Sequence, residues 1–306
     1  MSGGKMNNDE KYEAIIKSMD EYTYDWNPDW SEDPSKPILK ITKSSLGSHD
    51  WCPKKYDFSY IQRLPQDQTE AMLKGTIIHN AREDFFRDFD IAKAETMNNT
   101  EILDYCQSLF PIDDYLDIYL TIASTEAERF IECRDEKKLD EFLPIVNEGK
   151  FDAEITFKKN QSAKYPLQRD YKIHLQGIID RVFREGNSLI PMELKTGPWK
   201  DYKTTTMRKE MAFYQLMIES APEEVLIKNG LTKDMKVTHW GWYYPVSNYL
   251  YVEEVKKRSM TSVADGIAKL LYAYEQKTFA PKFYYKTCTH CSFFGMCDAA
   301  QTDSWL

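Results

Sequence analysis

The chain has 306 residues, 42% hydrophobic and 14% aromatic, enough for one large core or two small ones. Its 40 Lys and Arg against 49 Asp and Glu give a net charge of −9, which argues against a protein that coats nucleic acid by bulk electrostatics but leaves a local basic groove open. No apolar run approaches a membrane span and the opening "MSGGKMNNDEKYEA" lacks the apolar centre of a signal peptide, so the reading is a cytosolic chain.

Residues 1–41 read as an acidic, proline-containing extension ("EYTYDWNPDWSEDPSKP"), either pinned to the surface by Trp26 and Trp30 or loosely attached. Residues 42–149 are mainly helical in pattern. "TKSSLGSHDWCPKKYDFSYIQRL" opens with candidate caps from Thr42 to Ser45. "DQTEAMLKGTIIHNAREDFFRDF" is a long helix with Leu73, Ile77, Ile78 and Phe85 on one face, and residues 112–143 are helical again.

The pattern changes at about residue 150. "KFDAEITFKK" alternates as a strand, and "YKIHLQGIIDRVF" and "SLIPMEL" follow with a Gly186-Asn187 turn between them. An amphipathic helix, "MRKEMAFYQLMIES", precedes the strands "KVTHWGWYYPV" and "YLYVEEV". Residues 150–257 therefore read as a sheet-bearing core, and 258–306 as a helix and a cysteine-rich end. The fold class is α/β, a mixed sheet flanked by helices. There is no internal repeat and no phosphate-loop motif, so no NTP motor is encoded.

Asp180 and Glu193 lie on the two arms of the presumed hairpin, and adjacent strands can present both to one face. Two carboxylates suffice for a hard divalent cation that keeps waters and takes substrate phosphate oxygens. Lys195, two residues after Glu193, falls on the same strand face, placed to hold a phosphate or an attacking water. A salt-bridged, exposed strand end is the plain alternative. Cys288, Cys291 and Cys297 form a C-x₂-C-x₅-C array, and Cys52, opening "CPKKYDFSY", is the best fourth thiolate for zinc or a cubane cluster. Thiolates alone do not choose between the two. Cys106 and Cys133 lack such spacing and read as ordinary, while His290 is not expected to ligate. Lys200, Lys203, Arg208 and Lys209, with Trp199 and Tyr202, read either as a strip tracking a phosphate backbone or as a solvated charge cluster.

"GIIDRV…PMELKTG" resembles motifs II and III of the PD-(D/E)XK nuclease superfamily, in its RecB-like branch. That resemblance implies a restriction-endonuclease-like fold, Mg²⁺ or Mn²⁺ held by Asp180, Glu193 and the Leu194 carbonyl, and a catalytic Lys195. "KGTIIHNARE" resembles the upstream helix whose histidine is a further ligand, here His79. "KEMAFYQLM" resembles the Q-x-x-x-Y helix that faces DNA. Tyr214 matches its tyrosine, and Glu210 stands where glutamine is usual, either facing DNA or supporting Lys195. Glu154 falls where relatives place a first-strand acid, with a partly exposed strand glutamate as the alternative. The cysteine spacing matches the 4Fe–4S staple of RecB-like nucleases, including CRISPR-associated exonucleases and the AddB nuclease domain, which ties the C-terminus to the N-terminal helices.

The implied activity is a DNA exonuclease on single strands or DNA ends, serving recombination, repair, virus replication or CRISPR adaptation. The alternatives are a non-catalytic DNA-end clamp of the same fold and a zinc-stabilised endonuclease. Cleavage polarity, oligomeric state and protein partners are not legible in the residues.

Overall fold

The computed structural model describes residues 39–66, 68–284 and 288–301. The extension up to residue 38, with Trp26 and Trp30, lies outside the described residues. Residues 39–41, grouped with the extension by sequence, are instead a strand of the sheet: β1 (Leu39–Ile41) runs parallel to β3 (Tyr171–Glu185).

The sheet has seven strands in the order β1–β3–β4–β6–β7, with β2 (Val146–Phe157) on the other edge of β3 and β5 (Lys236–Val237) beside β4 (Ser188–Leu194). β6 (His239–Tyr244) runs parallel to β4, and β7 (Tyr249–Glu254) runs antiparallel to β6. The β3–β4 hairpin turns at Gly186, whose φ of 57° is where glycine avoids a Cβ clash.

Alternating side chains feed two apolar cores, one on each face. Trp240, Trp242 and Tyr244 pack on one side with Met207, Met211, Tyr214 and Met217 of α7 (Thr204–Ser220). Tyr243, Leu194 and Ile190 pack on the other with Ile78, Phe85 and Phe130, from α3 (Glu70–Asp88) and α6 (Leu116–Asp135). A capping box between Thr42 and Ser45 starts α1 (Lys43–Trp51). Cys52 then begins the short α2 (Pro53–Tyr56), α4 (Ile91–Glu95) and α5 (Asn99–Ser108) lie between α3 and α6, α8 (Glu223–Lys228) follows α7, and α9 (Lys257–Glu275) packs beside α7.

Two local departures from regular pairing make the site. On one edge β3 bonds β1 at Ile173–Leu175 and β4 at Arg181–Glu185, and β4 leaves β3 after Met192 to continue along β6. A notch opens there between Asp180 and the end of β4. On the other edge, Asn147 pairs with Arg181 and Gly149 with Ile179, so Glu148 lies opposite Asp180. Glu148 has a φ of 54°, the left-handed region a non-glycine residue seldom adopts.

Candidate active site

The notch gathers acids and an imidazole. Asp180 is buried, and its Oδ2 accepts the Leu194 backbone N–H at 2.9 Å, replacing the ladder bond that β4 gives up. His79 lies on α3 beside the buried Ile78, which directs its ring over the end of β4. Its Nε2 is 3.2 Å from the Leu194 carbonyl oxygen, and its Nδ1 is 3.6 Å from both Glu148 Oε1 and Asp180 Oδ2. One ligand atom from each of His79, Glu148 and Asp180 lies within 4.8 Å of the others.

The electrostatics of this group favour a cation. Burial, reinforced by Glu193, pushes the Asp180 carboxyl above the usual carboxylate range. For His79, burial is outweighed by Asp180, Glu148 and Glu193, and its pKa rises. Glu148, against burial, is held below the ordinary range by His79 and Arg181. Two carboxylates, one imidazole and a carbonyl oxygen form a mixed oxygen–nitrogen set that fits a divalent cation of the Mg²⁺ or Mn²⁺ kind.

Across the strand lies a second group. Glu193 is 3% exposed, and its carboxylate accepts from Lys195 Nζ at 2.6 Å, from Tyr214 Oη at 2.6 Å and from Lys43 Nζ. Lys43 also donates to Tyr214 Oη at 2.8 Å. Glu210 closes the group, 2.9 Å from Lys195 and 3.5 Å from Lys43. Against burial, Lys195 and Lys43 hold Glu193 far below its ordinary range. Likewise Glu193 and Glu210 outweigh burial and raise Lys195.

Sequence analysis groups Glu193 with His79, Asp180 and Leu194 as ligands. In the structure the Glu193 carboxylate faces the lysines, and Glu148 stands with His79 and Asp180 instead. Nor does Glu154 support the site. It meets His174 at 3.3 Å and Lys172 at 3.4 Å, farther along β2 and β3.

The residues expected to face DNA are placed unequally. Tyr214 is 1% exposed and donates to Glu193, so it is an interior group and not a surface contact. Glu210 takes the alternative role, pairing with Lys195. Arg208 forms a fork with Glu253, both bonds at 2.6 Å, and so turns towards β7. Lys209 pairs with Asp50 of α1. Lys203 donates to the Pro198 carbonyl at 2.6 Å and lies over the Tyr244 ring, whereas Lys200 and Tyr202 are exposed. Trp199 stacks on Tyr249, with centroids 4.5 Å apart, as part of the fold.

Cys52, Cys288, Cys291 and Cys297 line one cavity, walled by Phe58 and Phe293 and flanked by Lys54 and Lys55. All four are free thiols, and Cys52 Sγ accepts the Lys282 backbone N–H at 3.4 Å. Four thiols converging on an apolar cavity with an amide donor and cations nearby fit a Cys₄-bound group, since thiolates need positive charge and N–H donors around them. Cys106 is buried, which pushes its thiol up to about 12, and His290 is exposed.

A family model of the PD-(D/E)XK nuclease superfamily matches residues 40–298, and the chain belongs to that superfamily. Membership makes it a metal-dependent nuclease with a nucleic-acid substrate, and the His79–Glu148–Asp180 group is a possible metal site. Among solved structures, one described as "Crystal structure of SSO0001" is similar at 14% identity, covering 95% of this chain and 97% of that one, with a TM-score of 0.40. No curated protein matches. Among the described residues, no helix is long and apolar enough to cross a membrane.

Proposed function

We propose that the chain is a deoxyribonuclease of the RecB-like branch, an exonuclease acting on single-stranded DNA or DNA ends, with a 4Fe–4S cluster held by Cys52, Cys288, Cys291 and Cys297. The observation that carries the catalytic part is the notch, where His79, Glu148 and Asp180 converge across β4 from the Glu193–Lys195 pair. These three side chains and the Leu194 carbonyl would hold Mg²⁺ or Mn²⁺. When bound, such an ion lowers the pKa of water and offsets charge on the phosphate.

The chain's own groups do the rest. Lys195 donates to a non-bridging phosphate oxygen. Glu193, itself held by Tyr214, and Glu210 fix its direction and keep it protonated, as the raised Lys195 pKa supports. The water oxygen attacks phosphorus in line. Its proton passes to solvent, and the 3′ oxygen departs and takes up a proton, leaving a 5′-phosphate and a 3′-hydroxyl.

The test is digestion of end-labelled single-stranded DNA with Mn²⁺. Wild type should degrade it, and Asp180→Ala and Lys195→Ala should not. Metal-independent binding without cleavage by wild type would favour an end clamp. Cutting of closed circular DNA would favour an endonuclease. For the cluster, anaerobically purified protein should carry iron and absorb visible light, both lost in Cys288→Ala. Colourless wild type loaded with zinc would reject it.

A further inference from the structure

We propose that the groove between α1 and α7 is the track that delivers one nucleic-acid strand to the site, gripping its phosphates with Lys43, Lys209 and Lys282. This rests on the nuclease reading for its ligand, and on the groove for everything else.

The groove is a cavity of about 490 Å³. Lys195 and Glu210 line it together, α1 from Lys43 to Trp51 forms one wall, and Thr205, Thr206 and Lys209 of α7 form the other. Exposed Lys282 lines it as well. Its lining has four lysines and two acids, Asp50 and Glu210, and counting Glu193, which Lys43 and Lys195 share, it stays net positive on a chain whose total charge is −9. Local positive charge of this kind focuses a polyanion where the whole surface does not. The α1 wall is open at Gly47, where an added Cβ would meet nothing within 4 Å. The volume is that of a small-ligand site, about 300–1,000 Å³, the scale of one or two nucleotides.

Lys43 marks where this track joins the reaction centre. Its ammonium contacts the same Glu193 oxygen as Lys195 Nζ, yet 19% of its side chain is exposed. A phosphate in the groove can reach both lysines, since 31% of the Lys195 side chain is exposed as well. Asp50 holds Lys209 across the groove, so the strand's phosphates displace Asp50 as Lys209's partner. Asp50 therefore opposes binding, which gives the proposal a substitution of opposite sign.

The experiment is fluorescence anisotropy of the full chain with a short labelled single strand in EDTA, titrated over a range of salt. Lys43→Ala, Lys209→Ala and Lys282→Ala should each weaken binding and flatten the log–log salt slope by about 0.7, the increment for one single-strand phosphate contact. Asp50→Asn should tighten binding, and Lys172→Ala, on the strand pair beyond the site, should change nothing. A duplex of equal length should bind more weakly than the single strand. Lys282 is exposed, so Lys282→Ala and Asp50→Asn decide the matter even if Lys43→Ala fails to fold. A wild-type slope in Lys282→Ala, wild-type affinity in Asp50→Asn, or equal affinity for duplex, would overturn the proposal. Mn²⁺-dependent cleavage is measured separately. Cleavage with unaltered slopes rejects the track and keeps the nuclease, whereas altered slopes without cleavage reject the nuclease and keep the track.

Discussion

Replacing Glu148 separates its two roles. Arg181 is 0% exposed, and its Nη1 donates to Glu148 at 2.8 Å while its Nε and Nη2 have no hydrogen-bond partner among the described residues. Glu148→Ala would leave that guanidinium buried without its ion pair, a loss of about 3–5 kcal/mol by analogy with broken buried pairs. At about 2 °C per kcal/mol for a chain of this size, Tm should fall by about 6–10 °C. Glu148→Gln keeps an acceptor for Arg181 and so most of that stability, but removes one carboxylate from the metal group. At a Mn²⁺ concentration 100 times its Kd, binding stabilises wild type by about 2.7 kcal/mol, or about 5 °C. A tenfold weaker site at the same concentration gives about 1.4 kcal/mol, roughly half the shift. The assay is thermal melting with and without Mn²⁺. A full Mn²⁺ shift in Glu148→Gln would refute the ligand role and leave Glu148 serving Arg181 alone.

Three further outcomes can be measured. His49 is 1% exposed, and burial with Lys269 and Lys209 lowers its pKa from 6.5 to about 4 against the pull of Asp50. Its unfolded form binds the proton first, so its stability contribution is complete above pH 6.5 and about 3 kcal/mol is lost by pH 4; urea melts of His49→Phe should show a flatter profile in that window. A Cβ on Gly149 would lie 2.2 Å from Val146 Cγ1 and 2.6 Å from Asn229 Oδ1, so Gly149→Ala should cost about 1–3 kcal/mol and reduce the Mn²⁺ shift by displacing Glu148; an unchanged melting curve in both conditions would contradict this. Glu126, 2% exposed between Arg82 and Arg129, has its pKa lowered by them against burial, so it stabilises the fold above the unfolded carboxylate range and loses that contribution as acid protonates it. Glu126→Gln should lower stability at pH 7 and flatten the acid limb of the denaturation profile.

Much of the fold was legible because its signals are local. The alternation of β3 and β4, the Gly186-Asn187 turn and the Thr42–Ser45 cap need no distant partner to be read. The site was less legible because it depends on distant pairing. Where β4 leaves β3, β6, 49 residues on, pairs with Glu193 and Leu194. Glu148 precedes the stretch where alternation is obvious, and Glu154, six residues on, was the more visible acid. The two share a parity but stand about 20 Å apart at roughly 3.3 Å per residue. Lys43 carries no motif, and its position comes from β1 pairing with β3 far along the chain. Tyr214 was legible but misweighted. Met207, Met211, Tyr214 and Ile218 recur at helical spacing and form the buried stripe of α7, which argues for an interior tyrosine.

The spacing of Glu193, Leu194 and Lys195 also explains why two charge groups exist. Glu193 and Lys195 meet Tyr214 and Glu210 on the α7 side of β4, while the Leu194 side chain enters the opposite core and its carbonyl meets His79. On the α7 side two lysines face two glutamates, and formal charge balances. On the other, Asp180 and Glu148 share a histidine, with Arg181 engaged by Glu148 from behind. The excess of negative charge therefore collects in the notch: the acids raise His79 against burial, and Glu193 and Glu148 add to the burial that raises Asp180. A lysine two residues past the acid thus neutralises one side of the strand and leaves the other as the place where a cation gains most.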